Sequence, residues 1–265
     1  MLEKKLIDSF CDAHLHLVFS EKKENVLLRL KKSGGYSACT CAHSVVEFTE
    51  QEKLLSVIKS EASNCTIFSA FGLHPQGPIL ERADFLETLL KEKRISAIGE
   101  AGFDFYTAEL KKEKERQEKS WRIQTELAVF YKVPLIIHCR KAMDFIFRDI
   151  SILKKIPAVV FHSFGGAFLQ EISILKKGVN AYFSFGKQIL NGNKKAMECV
   201  TNTEIDRLLL ETDAPYQTLK GEEFTSIGEI ERVYEAAINL RNAERPELSA
   251  SLQENFKRAF TPRLN

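Results

Sequence analysis

No apolar run in this sequence approaches the length of a membrane span. The opening stretch Met1-Leu2-Glu3-Lys4-Lys5, passing into Leu6-Ile7-Asp8, also lacks the uninterrupted apolar core of a secretory signal. The expectation is a cytoplasmic protein with no membrane partner. An excess of charge of one sign is missing too. The 38 Lys and Arg against 36 Asp and Glu leave a formal net charge of +2, too weak a global field to announce nucleic acid, although a local basic surface is compatible with it. There is no CxxC pair: Cys39 and Cys41 are separated by Thr40, and no His or second Cys follows at zinc-finger distance. Cys11, Cys39, Cys41, Cys65 and Cys139 lie within or beside apolar stretches, where a buried free thiol is the common state, and a reduced compartment fits that state. Repeats, low-complexity segments and Pro-rich or Ser-rich linkers are absent, so nothing marks a boundary between domains.

What is present is alternation. The chain has 265 residues with 44% hydrophobic and 28% charged positions, enough to bury a sizeable core. Short apolar or β-branched runs are each followed by a longer amphipathic stretch, about eight times. The strand candidates are Leu6–Asp12, Tyr36–Ala42, Cys65–Gly72, Ile95–Glu100, Val133–His138, Ala158–His162, Val179–Phe185 and Arg207–Asp213. Helix candidates include Glu24–Lys32, Glu47–Ala62, Ala83–Lys93, Ala108–Tyr131, Ala142–Lys155 and Phe168–Lys177, with two closing helices between Ser226 and Phe260. The most charged stretch, Glu109 to Lys119, mixes both signs and runs into Trp121, Ile123, Leu127 and Val129, which reads as the exposed start of a long helix. The pattern predicts an α/β fold, a single (β/α)₈ TIM barrel over residues 1–265, with a doubly wound open sheet as the competing arrangement.

Four of the six histidines fall where a predicted strand gives way to its loop, the catalytic face of such a barrel. In Asp12-Ala13-His14-Leu15-His16 the strand period of two sends both imidazoles to one side, where they suit a divalent transition metal. Asp12 shares that parity and reads as a partner of the ligands, not as a ligand. His138 and His162 close strands that are otherwise apolar. Glu100 and Asp213 place carboxylates at the ends of two more, where burial is costly unless a positive charge compensates it. Each of these residues alone has a bland explanation as a core group or a cap. Together they point to a metal centre. His43, after Cys41-Ala42, reads as structural.

The motifs DAHLHL at Asp12, GLHP at Gly72, GEAGFDF at Gly99, Gln117-x-x-x-Trp121-x-x-Gln124-x-x-Leu127-Ala128, IIHCRKA at Ile136, FHSFGG at Phe161 and LLETDAPY at Leu209 follow one another along the chain. In that order they resemble the TatD family of metal-dependent deoxyribonucleases, within the amidohydrolase-like barrels. The resemblance implies that His14, His16, Glu100 and Asp213 bind one divalent cation, and that Glu100 bridges to a second held by His138 and His162. It also implies hydrolysis of DNA ends, as by an exonuclease-type deoxyribonuclease, with magnesium, manganese or zinc; nucleic-acid ends are then the expected partner, and no protein partner is implied. Related barrels often bridge their metals with a modified lysine on the fourth strand; Ile95 to Glu100 contains none. Two departures stand out: Gln76 where the family often has a second His after His74-Pro75, and Ser163-Phe164 where it often has Cys-Phe-Ser.

Such a ligand set would activate water for attack, with Asp213 as the candidate general base. His74 and Arg140 are candidates for steadying anionic oxygens of the substrate, since both follow strands on the same face. A carboxylic ester or amide hydrolase, acting on an aminoacyl-tRNA or a small cyclic amide, could use the same centre. A barrel kept only as a binding module would be expected to have lost a ligand, and none is lost.

Overall fold

In the computed structural model, which describes residues 9–261, strands and helices alternate along the chain. The strands are β1 (Ser9–Leu15), β2 (Gly35–Ala42), β3 (Cys65–Phe71), β4 (Ala97–Asp104), β5 (Leu135–Arg140), β6 (Val159–Phe161), β7 (Ala181–Phe185) and β8 (Leu208–Leu210). They lie side by side in sequence order, every neighbouring pair parallel. A doubly wound sheet would reverse its order partway, so that alternative is excluded. The seam between first and last strands is closed by backbone bonds: Asp213 N–H donates to the His14 carbonyl at 3.0 Å and His16 N–H to the Ala214 carbonyl at 2.7 Å. The fold is a (β/α)₈ barrel.

Small side chains line the interior on the first four strands, and Ile136, Val160, Tyr182 and Leu209 fill it on the later ones. Cys11, Ala13, Cys39, Cys41, Ala70, Ala97 and Ala158 form one buried cluster with Phe256 and Phe260 of the closing helix Arg245–Phe260. That helix sits at the start of β8, where Asn255 donates to the Ile205 and Leu208 carbonyls at 2.6 and 2.8 Å. It plugs the end of the barrel opposite the strand termini that carry the histidines. Larger residues of the other parity, among them Ile98, Ile137, Phe161, Phe183 and Leu210, pack outward against the helices, and Leu15 joins them past the register shift in β1. Cys11, Cys39, Cys41, Cys65, Cys139 and Cys199 are all free thiols. No helix among the described residues is long and apolar enough to cross a membrane.

Several expected boundaries shift. Residues 6–8 of the first expected strand lie outside the described residues, and the observed strand runs on to Leu15. β4 does not stop at Glu100 but continues to Asp104. The helix expected over Ala108–Tyr131 is two, Ala108–Lys112 and Lys114–Tyr131. Gln117 bridges the break: its Nε2 donates to the carbonyls of Leu110 at 3.0 Å and Asp104 at 3.1 Å, tying both pieces to the end of β4. Ala142–Lys155 likewise divides into Met143–Arg148 and Ile150–Leu153. At the joint, the Asp149 carboxylate accepts from Trp121 Nε1 at 2.9 Å. A helix over Lys194–Asn202, capped by the Asn193 side chain, fills the connection between β7 and β8, for which the sequence reading named none.

Candidate metal centre

Glu100 is 2% exposed, and its carboxylate is met by every histidine of the chain. Oε1 lies 3.4 Å from His14 Nε2, 3.3 Å from His16 Nε2 and 3.2 Å from His43 Nε2. Oε2 lies 3.5 Å from His74 Nε2, 3.1 Å from His138 Nδ1 and 2.6 Å from His162 Nε2. The two oxygens thus define two half-sites of three imidazoles each. Asp213 joins the first through Oδ1, 3.5 Å from His14 Nε2 and 3.7 Å from His16 Nε2.

Strand irregularities deliver these groups. Pairing of β4 with β5 shifts register between Ile98 and Ala101, so Glu100 escapes the strict alternation that turns Ile98 outward. Gly72 permits the close backbone approach this needs, because a Cβ there would fall 2.5 Å from the Gly99 carbonyl carbon and 2.7 Å from Glu100 N. A second shift lies between Asp12 and Leu15 of β1. It corrects the expectation for Asp12, which does not join the histidines. Its carboxylate accepts from Tyr36 Oη at 2.8 Å, Thr212 N at 2.9 Å and Thr212 Oγ1 at 2.6 Å, and so helps close the seam beneath them.

The protonation pattern is legible from the partners. His138 Nε2 lies 2.9 Å from Asp104 Oδ2, an acceptor, so in neutral His138 the proton sits on Nε2 and the Nδ1 lone pair faces Glu100. His43 Nδ1 lies 3.2 Å from the Gly72 carbonyl, which likewise leaves its Nε2 lone pair toward Glu100. His14 Nε2 is buried with no hydrogen-bond partner among the described residues. Lone pairs aimed at a carboxylate repel it unless a positive charge lies between them, and that is the chemistry of a cation site. His74 differs. Its Nδ1 accepts the Gln76 backbone N–H at 3.2 Å, which places its proton on Nε2, the atom turned to Glu100. His74 is therefore a donor into the site and not a lone-pair ligand.

The electrostatics follow from burial set against neighbours. Burial pushes the Glu100 carboxyl up, but the imidazoles of His162, His74 and His14 outweigh it and hold the group well below the usual range. Burial also raises Asp213, and here the histidines do not overcome it. His74 is pushed down to about 3, chiefly by burial, and stays neutral. His162 is raised well above its usual value despite burial, by Glu100 and then Glu211.

The structure thus brings together His14, His16, Glu100, His138, His162 and Asp213, with His74 beside them. It corrects the reading of His43, whose ring belongs to the cluster. Arg140 stands further out, its Nη1 3.7 Å from Asp104 Oδ2. Three carboxylate and amide groups were missed. Asp104 holds His138, Glu211 Oε1 lies 3.6 Å from His162 Nδ1, and Gln217 Nε2 donates to Asp213 Oδ2 at 3.1 Å. The alternation of Gly99-Glu100-Ala101-Gly102-Phe103-Asp104 is the signal that could have extended β4 to Asp104. Of the two departures, Gln76 donates through Nε2 to Asp104 Oδ2 at 2.8 Å, and Ser163 N–H donates to Glu211 Oε1 at 2.8 Å. Both therefore act on carboxylates that hold histidines.

Residues 11–261 match the family model described as TatD related DNase. The chain is similar to the 3'-5' ssDNA/RNA exonuclease TatD of Erwinia amylovora, 29% identical over 205 residues that cover 75% of each protein. It is similar also to YabD of Bacillus subtilis, named an uncharacterized metal-dependent hydrolase, 31% identical over 205 residues covering 73% of this chain and 77% of that one. Among solved structures, YJJV, a TatD homolog from Escherichia coli K12, shares the barrel with a TM-score of 0.80 and 24% identity, over 96% of this chain and 98% of that one.

Proposed function

The chain belongs to the TatD related DNase family and is a metal-dependent hydrolase, and from that premise we propose that it cleaves phosphodiesters at nucleic-acid ends with two divalent cations, which Glu100 would help to hold through both of its oxygens. The observation that carries the proposal is the division of six imidazoles between the two oxygens of one buried carboxylate. His14, His16 and Asp213 would hold one cation with His43 at its edge, and His138 and His162 the other. Magnesium, manganese and zinc are all candidates, and an imidazole-rich set suits a transition ion better than magnesium. When bound, the pair would supply positive charge that polarises a phosphoryl oxygen and acidifies water.

The remaining steps belong to the protein's own groups. Asp213 is the carboxyl of the cluster whose affinity for a proton burial raises, and Gln217 fixes its Oδ2. It orients the attacking water and takes its proton. His74, neutral and carrying its proton on the inward nitrogen, donates to a non-bridging phosphate oxygen. Asp104 and Glu211 hold the rings of His138 and His162 at fixed angles.

The test is cleavage of end-labelled single-stranded DNA by the chelated protein, with magnesium, manganese or zinc restored one at a time, beside Glu100→Gln. Metal-dependent shortening from one end, absent in the variant, is the expected result. Stoichiometric metal with intact DNA would move the substrate to a carboxylic ester or amide.

A further inference from the structure

At the rim beside the second half-site, two cationic side chains share one exposed aromatic ring. The Arg140 guanidinium carbon lies 4.0 Å from the Tyr106 ring centroid and Lys141 Nζ lies 4.4 Å from it. Tyr106 is 53% exposed. Its position is not accidental to the site: its backbone N–H donates to Asp104 Oδ1 at 2.9 Å, while the other oxygen of Asp104 holds His138. Arg140 ends the same strand that carries His138, two residues on, and Lys141 follows with a positive φ of 55°.

Two like charges over one ring repel each other, and the face of Tyr106 offsets only part of that. Compensation from acids is thin. Among the described residues Arg140 has one carboxylate neighbour, Asp104 at 3.7 Å, already engaged by His138 and Gln76. Lys141 has no ion pair among the described residues. The rim therefore holds a preorganised, under-compensated positive pair. An anion would relieve it.

We infer that Tyr106, Arg140 and Lys141 form a second phosphate subsite, which grips the phosphodiester next to the one being cleaved. The inference rests on the nucleic-acid reading above and deepens it, because it makes the enzyme a reader of strands with at least two phosphates. Tyr106 acts as a platform that fixes both cations, and they make the charged contacts.

The experiment uses the metal-loaded protein and two single-stranded trinucleotides. One carries two ordinary phosphodiesters; in the other, the linkage next to the cleaved one is a neutral methylphosphonate. The wild-type KM should rise on the order of ten-fold with the neutral linkage, the loss expected for charge-assisted hydrogen bonds. In Tyr106→Leu and in Lys141→Ala with Arg140→Ala, that ratio should fall to about two or less. Tyr106→Phe keeps the ring face and should keep the ratio, which separates a lost platform from a disturbed fold. A wild-type enzyme that cleaves both trinucleotides with equal KM, or variants that keep the full ratio, would overturn the subsite and leave the nuclease reading standing. Failure to cleave either trinucleotide with any metal would overturn both.

Discussion

His162 Nε2 lies 2.6 Å from Glu100 Oε2, the shortest of six imidazole contacts on that one carboxylate. Glu100→Gln keeps the shape and removes the charge that both half-sites share. It should lose metal, read by elemental analysis after dialysis, and turnover should fall by more than about 100-fold. Stoichiometric metal with normal turnover in this variant would overturn the bridging role.

Asp213→Asn separates holding the metal from moving a proton. Asn keeps an oxygen for His14 and His16 to face but has little basicity. The expected outcome is retained metal with kcat lowered by about 10²–10⁴-fold, the usual range for a lost general base. Near-normal turnover with metal retained would withdraw the assignment.

The two histidines left outside the family-implied ligand set differ in proton position, and they should differ in phenotype. His43 offers a lone pair and His74 a proton. His43→Ala should weaken metal affinity by about 10–100-fold. His74→Ala should leave metal content unchanged and lower kcat/KM for a phosphodiester. The reverse pattern in a metal titration would show the tautomers to be misassigned.

The sequence was informative where one periodicity governs. Alternating parity put His14 with His16, and apolar runs of strand length located His138 and His162. Parity failed where the ladder slips. Asp12 leaves the face of His14 because of the register shift that follows it, and no residue type in Asp12-Ala13-His14 announces that shift. His43 was missed because it lies one residue beyond its strand, and only the convergence of the strand ends at the barrel mouth brings it within 3.2 Å of Glu100. Glu211 and Gln217 were illegible for a related reason. Their partners, His162 and Asp213, are chosen by the loop after β8, where Asp213 and Gln217 both take positive φ.

Metal removal should be visible in stability as well as in activity. A ligand that binds only the native state at 100 times its Kd adds about 2.7 kcal/mol. For a chain of this size that corresponds to roughly 5–10 °C in Tm. Calorimetry with and without chelator should show a shift of that order for the wild type and little for Glu100→Gln. An equal shift in both proteins would place the stabilising metal elsewhere.

One pH-sensitive group lies outside the metal centre. Glu171, on the helix Phe168–Lys176, is 1% exposed, and one of its carboxylate oxygens has no hydrogen-bond partner among the described residues. Burial, reinforced by Glu204 and opposed by Thr203 and Arg241, raises its carboxyl from 4.5 to about 7. The folded state therefore binds this proton more tightly than the unfolded chain. The stability it contributes is fully present below the unfolded value of 4.5 and is lost as pH rises through about 7. Glu171→Gln is neutral at every pH and should remove that slope. Urea midpoints at pH 5 and pH 8 should differ less in the variant than in the wild type. The difference, on the order of 1–3 kcal/mol, should appear as a gain in stability for Gln at the higher pH. If the variant were instead less stable than the wild type at pH 8 by as much as at pH 5, Glu171 would be ionised in the folded protein across this range, and its burial would be compensated by Arg241.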